Sequence, residues 1–114
     1  GRPDQSAEAF APFLSRIKQA TSAVVNLTTG GSPFMKVDER VRPAAEWKPE
    51  VASLNMGSMN YAKYNPKKKQ FVFDFVFPNP FTEILAIVEA MKAAGIVVAP
   101  TPTDMGQAMV QALG

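Results

Sequence analysis

Short β-branched runs alternate with segments of helical periodicity along this chain, and that alternation restricts it to an α/β fold. Asp4 or Ser6 can cap a first helix, with Glu8 suited to its first turn. Phe10, Phe13, Leu14 and Ile17 follow at the spacing of one apolar helix face. Pro12 falls among them, and an interior proline costs about 3 kcal/mol, so a late start or a kink is expected. Residues 23–27 are short and apolar and run into Thr28-Thr29-Gly30-Gly31, a buried strand ending in a glycine turn. Val37–Trp47 reads as a second helix with Val37, Val41, Ala44 and Ala45 inward, interrupted by Pro43 and ended by Pro49. Residues 51–56 form the next strand, stopped by Gly57-Ser58.

The polar residues 60–70 contain Pro66 and Lys67-Lys68-Lys69 and read as a long loop or a partly ordered excursion. Residues 71–77 alternate strictly, with Phe71, Phe73, Phe75 and Phe77 on one face and Val72, Asp74 and Val76 on the other; no other segment signals a strand so strongly. Asn79-Pro80 opens a helix lined by Ile84, Leu85, Val88 and Met91 and closed by Gly95. Residues 96–99 are a further apolar strand, and Thr103 caps a last helix through Leu113. Strands and helices in that order predict a parallel sheet of βαβ units, covered on both faces.

At 114 residues and 46% hydrophobic, the chain is long and apolar enough for one packed domain. No stretch approaches the roughly 18 to 20 apolar residues that span a bilayer, and the opening residues do not read as a basic-plus-apolar leader, so nothing points to secretion. A formal charge of +2 on scattered residues does not point to nucleic acid. The chain has neither Cys nor His. That rules out disulfides, fits a cytoplasmic location, and removes the usual zinc site, the Ser-His-Asp triad and the Cys-His pair. The opening Gly1 in place of Met suggests processing, a cloning scar or missing sequence.

Ligands in parallel α/β folds sit at the carboxyl ends of the strands. Two strand ends here carry small hydrogen-bonding residues: residues 26–31 (NLTTGG) and residues 53–60 (SLNMGSMN). Both offer hydroxyls, amides and glycine N–H groups that can close on a carboxylate or carbonyl oxygen. On pattern alone, a plain turn is the commoner role of each, and neither has the spacing of a Walker A loop or a G-x-G-x-x-G fingerprint. Asp38-Glu39-Arg40 and Lys67-Lys68-Lys69 read as solvated surface. Asp74 must be exposed or paired, and Met56, Met59, Met91 and Met109 read as core filler.

Residues 25–31 (VNLTTGG), then Glu39-Arg40 and Arg42-Pro43, then residues 48–60 (KPEVASLNMGSMN) resemble the β-keto acid cleavage enzyme family, typified by the 3-keto-5-aminohexanoate cleavage enzymes. The opening residues 1–6 (GRPDQS) are similar to the family's segment before its third barrel strand. The likeness is dense over residues 1–61, weaker over 62–95, and ambiguous over 96–114, which look like the family's C-terminal segment. The region 67–71 is shorter than the family's excursion, so the sequence reads as a partial or discontinuous chain.

This resemblance implies that the single domain, residues 1–114, is part of a (β/α)8 TIM barrel. It also implies a zinc-dependent exchange between a β-keto acid and acetyl-CoA, giving acetoacetate and a new acyl-CoA. The metal-binding histidines would lie upstream of Gly1 and the glutamate downstream, leaving no catalytic or metal residue in this chain. The carried-over role is substrate grip: Thr28 or Thr29, with Ser53 and Asn55, would hydrogen-bond the carboxylate and keto oxygens. Gly57 and Ser58 would allow close backbone approach. A homo-oligomer is the implied assembly. Two rival readings place the chain as a free-standing α/β binding module without the metal, or as a structural remnant.

Overall fold

The computed structural model of the chain describes residues 1–101. Helix α1 (Ala7–Ala20) is capped by Ser6, whose hydroxyl accepts from the Ala9 amide at 3.2 Å. It runs through Pro12 from its first turn, so of the late start or kink expected from that proline the late start does not occur. Only part of its apolar stripe is covered. Leu14 is buried with Val25 and Leu27, and Phe10 packs beside them, whereas Phe13 and Ile17 are exposed.

Strand β1 (Asn26–Thr28) leads to helix α2 (Val37–Trp47) and then to β2 (Val51–Asn55), which pairs parallel with β1. The Glu39 carboxylate accepts from the Lys36 amide at 2.8 Å and closes the start of α2. Lys48 ends that helix in a left-handed conformation, φ 46°. Helix α3 (Phe81–Ala93) follows, and β5 (Val97–Thr101) pairs parallel with the other edge of β2, giving the order β1-β2-β5. These are two βαβ units sharing a central strand.

Between β2 and α3 the chain makes an antiparallel hairpin, β3 (Met59–Asn65) and β4 (Gln70–Phe77), which forms its own sheet. The segment expected as a loop therefore supplies a strand. Asn65 makes the reversal local: its side-chain oxygen accepts from the Lys67 and Lys68 amides at 3.0 and 3.1 Å, and Lys69 takes a positive φ of 50°. A register shift between Lys63 and Tyr64 sets Phe71 against Tyr64, apart from the cluster of Tyr61, Phe73 and Phe75. Four phenylalanines on one face is thus corrected to three plus one.

The expected segment of a closed (β/α)8 barrel is also corrected. Residues 71–77, counted as a member of the parallel sheet, are removed from it by pairing back onto β3. Among the described residues that leaves three parallel strands and a separate two-stranded sheet, a mixed α/β fold with three helices. The expected helix at residues 103–113 lies outside the described residues.

The core is on one face of the parallel sheet. Ala52, Leu54 and Met56 meet Val41 and Ala44 of α2 and Ile84, Ile87, Val88 and Met91 of α3. Ile87 takes the place expected of Leu85, which is half-buried. Met56 and Met91 are core residues as expected, but Met59 is exposed on the hairpin. By register, the opposite face presents Asn26 and Thr28 of β1, Val51, Ser53 and Asn55 of β2, and Val97, Ala99 and Thr101 of β5. No helix core forms there among the described residues, so the expectation of a sheet covered on both faces does not hold for them.

Candidate functional site

Parallel pairing brings the polar strand ends of β1 and β2 to the same end of the sheet. Thr28 and Ser53 are register partners and so project from the same face, the one without helices. Asn55, two residues beyond Ser53, lies opposite Thr101 and accepts from its hydroxyl at 3.4 Å. Thr28 Oγ1 accepts from the Gly30 amide at 3.0 Å, which leaves the hydroxyl hydrogen free to donate. A Cβ on Gly30 would sit 3.2 Å from Thr28 Oγ1 and 3.9 Å from Asn55 Nδ2, so the glycine lets the backbone pass between these two side chains. The cluster therefore offers two hydroxyls, one amide and no fixed charge.

The other expected contact residues are used within the fold. Thr29 is fully buried, and its hydroxyl donates to the Ser53 carbonyl at 2.7 Å, latching the β1 loop to β2. Ser58 Oγ accepts from the Asn79 amide at 2.8 Å, and the Gly57 carbonyl accepts from Asn79 Nδ2 at 3.2 Å. Those two residues hold the start of α3. The structure thus groups Thr28, Ser53 and Asn55, and connects Thr29, Gly57 and Ser58 to a second layer beneath them.

That layer is organised by Arg40, which sequence reasoning placed on a solvated face and which is only 2% exposed. Its Nε donates to the Thr29 carbonyl at 3.0 Å, and Nη2 donates to Asn79 Oδ1 at 2.6 Å. Nη1 approaches the half-exposed Glu83 carboxylate at 3.4 Å, and the guanidinium lies 5.8 Å from the Phe77 ring centre. Burial lowers its pKa from the ordinary guanidinium value, with Glu83 opposing that shift. Gln5 completes the layer, donating to the Thr28 and Arg40 carbonyls at 2.8 and 3.0 Å. A signal for Arg40 was present: it sits three residues after Val37 and four before Ala44, on the apolar side of α2. Gln5, Asn79 and Glu83 had no such periodicity to reveal them.

The described residues do not fit a metal. The chain has no Cys or His, and among the described residues no three His, Cys, Asp or Glu side chains come together as ligands. The zinc and metal-binding expectation is corrected for this chain, because the available donors are neutral hydroxyls and amides. No helix among the described residues is long and apolar enough to cross a membrane.

The model of the β-keto acid cleavage enzymes matches residues 1–112. The chain belongs to that family. The chain is 45% identical, over an alignment of 108 residues, to a 3,5-dioxohexanoate:acetyl-CoA acetone transferase of Paraburkholderia graminis. That alignment covers 83% of this chain and 35% of the relative. A 3-keto-5-aminohexanoate cleavage enzyme of Acetoanaerobium sticklandii is 40% identical over 62 residues, covering 54% of this chain and 22% of the relative. This member of the β-keto acid cleavage enzymes thus spans about a third or less of the curated relatives it matches.

Proposed function

We propose that this chain is a small-molecule-binding α/β module that receives the carboxylate and keto oxygens of a short β-keto acid at the polar end of its sheet. Thr28 and Ser53 would donate hydroxyl hydrogens, and the Asn55 amide would donate across the gap that Gly30 leaves open. Thr29, Gly57 and Ser58 would keep those donors in place from below. The observation that carries this reading is the register pairing of Thr28 with Ser53 on the helix-free face, beside Asn55.

The acyl exchange belongs, on this reading, to longer family members, with acetyl-CoA as the co-substrate and a homo-oligomer as the assembly. The lack of Cys supports a cytoplasmic setting. Neutral donors alone give modest affinity, roughly 1 kcal/mol per hydrogen bond, so binding in the millimolar range is expected.

An amide-resolved NMR titration with acetoacetate tests this. The Gly30 and Asn55 signals should shift together and saturate. Thr28→Val and Asn55→Ala should each weaken binding by roughly fivefold, in line with the loss of about 1 kcal/mol. Acetone, which lacks the carboxylate, should bind more weakly. Shifts confined to other surfaces, or equal binding by the variants, would overturn the assignment.

A further inference from the structure

The sheet face that carries Thr28, Ser53 and Asn55 is not uniform across its three strands. Strand β1 presents two polar residues there, Asn26 and Thr28. Strand β2 presents Val51 beneath Ser53 and Asn55, and β5 presents Val97 and Ala99 beneath Thr101. Register fixes the rows. Thr28, Ser53 and Ala99 stand side by side, and Asn26, Val51 and Val97 form the next row, farther from the carboxyl ends of the strands. Polarity therefore falls from β1 towards β5, and Val51, Val97 and Ala99 make a contiguous apolar corner beside Ser53. Val97 is 64% exposed, whereas its neighbour Val98 packs on the core of the other face, so the alternation of the strand puts this valine outside.

We propose that this corner is the subsite for the aliphatic tail of the β-keto acid, and that β5 thereby sets the preferred chain length. The subsite presupposes the binding role proposed for Thr28, Ser53 and Asn55 and gives that role a direction and a length. Polarity sets the direction. The carboxylate belongs on the β1 side, where the Thr28 hydroxyl and Asn55 Nδ2 flank Gly30, because a carboxylate against valines would lose its water with no donor in return. The keto oxygen then meets Ser53, and the carbons beyond it leave across Ala99, whose single methyl keeps the path open. The route past the strand ends is polar instead. Thr101 stands there with its hydroxyl on Asn55 Oδ1 at 3.4 Å, a contact that also turns the amide nitrogen towards Gly30. An apolar tail therefore runs down the face, towards Val97.

Sheet geometry sets the length. With strands about 4.8 Å apart and alternate residues about 6.6 Å apart, Val97 lies about 8 Å from Ser53 on the diagonal. Van der Waals contact spans the last 4 Å or so, which leaves a gap that about three or four carbons past the keto carbon close. Acetoacetate, with one such carbon, falls short of Val97; 3-oxohexanoate, with three, comes to its edge; 3-oxooctanoate, with five, covers it.

A methyl- and amide-resolved NMR titration of the full chain with these three acids tests the subsite. One side of the tail faces solvent, so each added methylene should tighten binding about twofold, half of what full burial gives. Across four methylenes, 3-oxooctanoate should bind about tenfold more tightly than acetoacetate. Its terminal methyl should give intermolecular NOEs to the Val97 and Val51 methyls. Val97→Thr keeps the shape and strand preference of the side chain, and should weaken 3-oxooctanoate about threefold more than acetoacetate. Val76→Thr, on the hairpin, should change neither. Equal affinity across the series, tail NOEs to the hairpin rings, or a Val97→Thr effect of the same size on all three acids would overturn the tail subsite. With acetoacetate still shifting Gly30 and Asn55, those outcomes would leave the binding role of the strand ends standing. Acetoacetate that shifts neither residue would overturn both.

Discussion

The parallel sheet and the hairpin solve the same problem of satisfying a strand in opposite ways. Around β1 and β2, polar groups are drawn inward and given partners: Arg40, Asn79, Thr29 and Gln5 are all buried and all hydrogen-bonded. No buried side-chain nitrogen or oxygen among the described residues is left without a partner. Around β3 and β4, apolar groups are left outside, and the backbone pairs only within the hairpin. A small chain can therefore place a polar network in its interior and rings on its surface. The first gives a defined geometry to the loops above it. The second leaves apolar area that association can cover.

The sharpest way to break this contrast is to remove Arg40. Arg40→Met keeps much of the stem's packing but strips partners from the Thr29 carbonyl, Asn79 Oδ1 and the Glu83 carboxylate. The Glu83 contact is long and half-solvated, so it contributes little, and the loss falls mainly on the two buried acceptors. A cost of about 3 kcal/mol is expected in urea denaturation. Near-ultraviolet signals from the hairpin rings should change far less than the overall midpoint. A loss below about 1 kcal/mol would mean that the layer beneath the strand ends is not a structural hub.

Gly31 gives the next largest effect. Its φ of +58° is in the left-handed region, and a Cβ there would meet Met35 Sδ at 2.9 Å and Arg40 Cγ at 3.1 Å. Met35 has a flexible end that can yield, but Arg40 is fixed by its own hydrogen bonds. Gly31→Ala should cost about 1–3 kcal/mol. It should also perturb the Gly30 amide in NMR, since the loop between Thr28 and Arg40 must shift. Gly95 has φ +72° and open space around it, so Gly95→Ala should cost less than Gly31→Ala and leave the Gly30 signal in place.

The same contrast explains what was legible in the sequence. Helices α2 and α3 were readable because their apolar residues recur with the helical period, and strands β1, β2 and β5 because each falls in or beside a short apolar run. The end of the sheet where Thr28, Ser53 and Asn55 meet followed from parallel order and small strand-end residues. The hairpin was half legible. Residues 71–77 alternate plainly, but nothing in a single strand's pattern states its partner, and Tyr61 and Tyr64 were obscured by the lysines and Pro66 that follow. Pairing two strands locally rather than through a crossover changes the sheet from parallel to antiparallel, and one misread loop therefore overturned the barrel. Arg40 was missed for a different reason. A charged residue beside acids at a helix start reads as solvated, and that reading outweighed its place on the apolar side of α2, where its partners Thr29 and Asn79 are long-range.

The smallest effect separates the sheet's solvated rim from its buried layer. Glu50, at the start of β2, accepts from the Val25 amide at 3.0 Å and so ties the two strands at the end opposite the candidate site. Its carboxyl is held below the ordinary range first by its own backbone amide, then by that of Val25, with Lys18 adding a little. A depressed folded-state pKa stabilises the fold above the unfolded value, and that contribution disappears as pH falls through the folded value. Glu50→Gln should therefore lower the thermal midpoint slightly near neutral pH, and the gap from wild type should close on titration below about pH 4. Asp4 and Glu8 are also depressed and lose their contributions over the same acid range, but they do so in both proteins and cancel from the difference. A gap that persists unchanged into acid would show that Glu50 acts through packing or a neutral hydrogen bond. A closing gap would place this tie among solvent-facing electrostatic contacts, in contrast to Arg40, whose charge persists across that range.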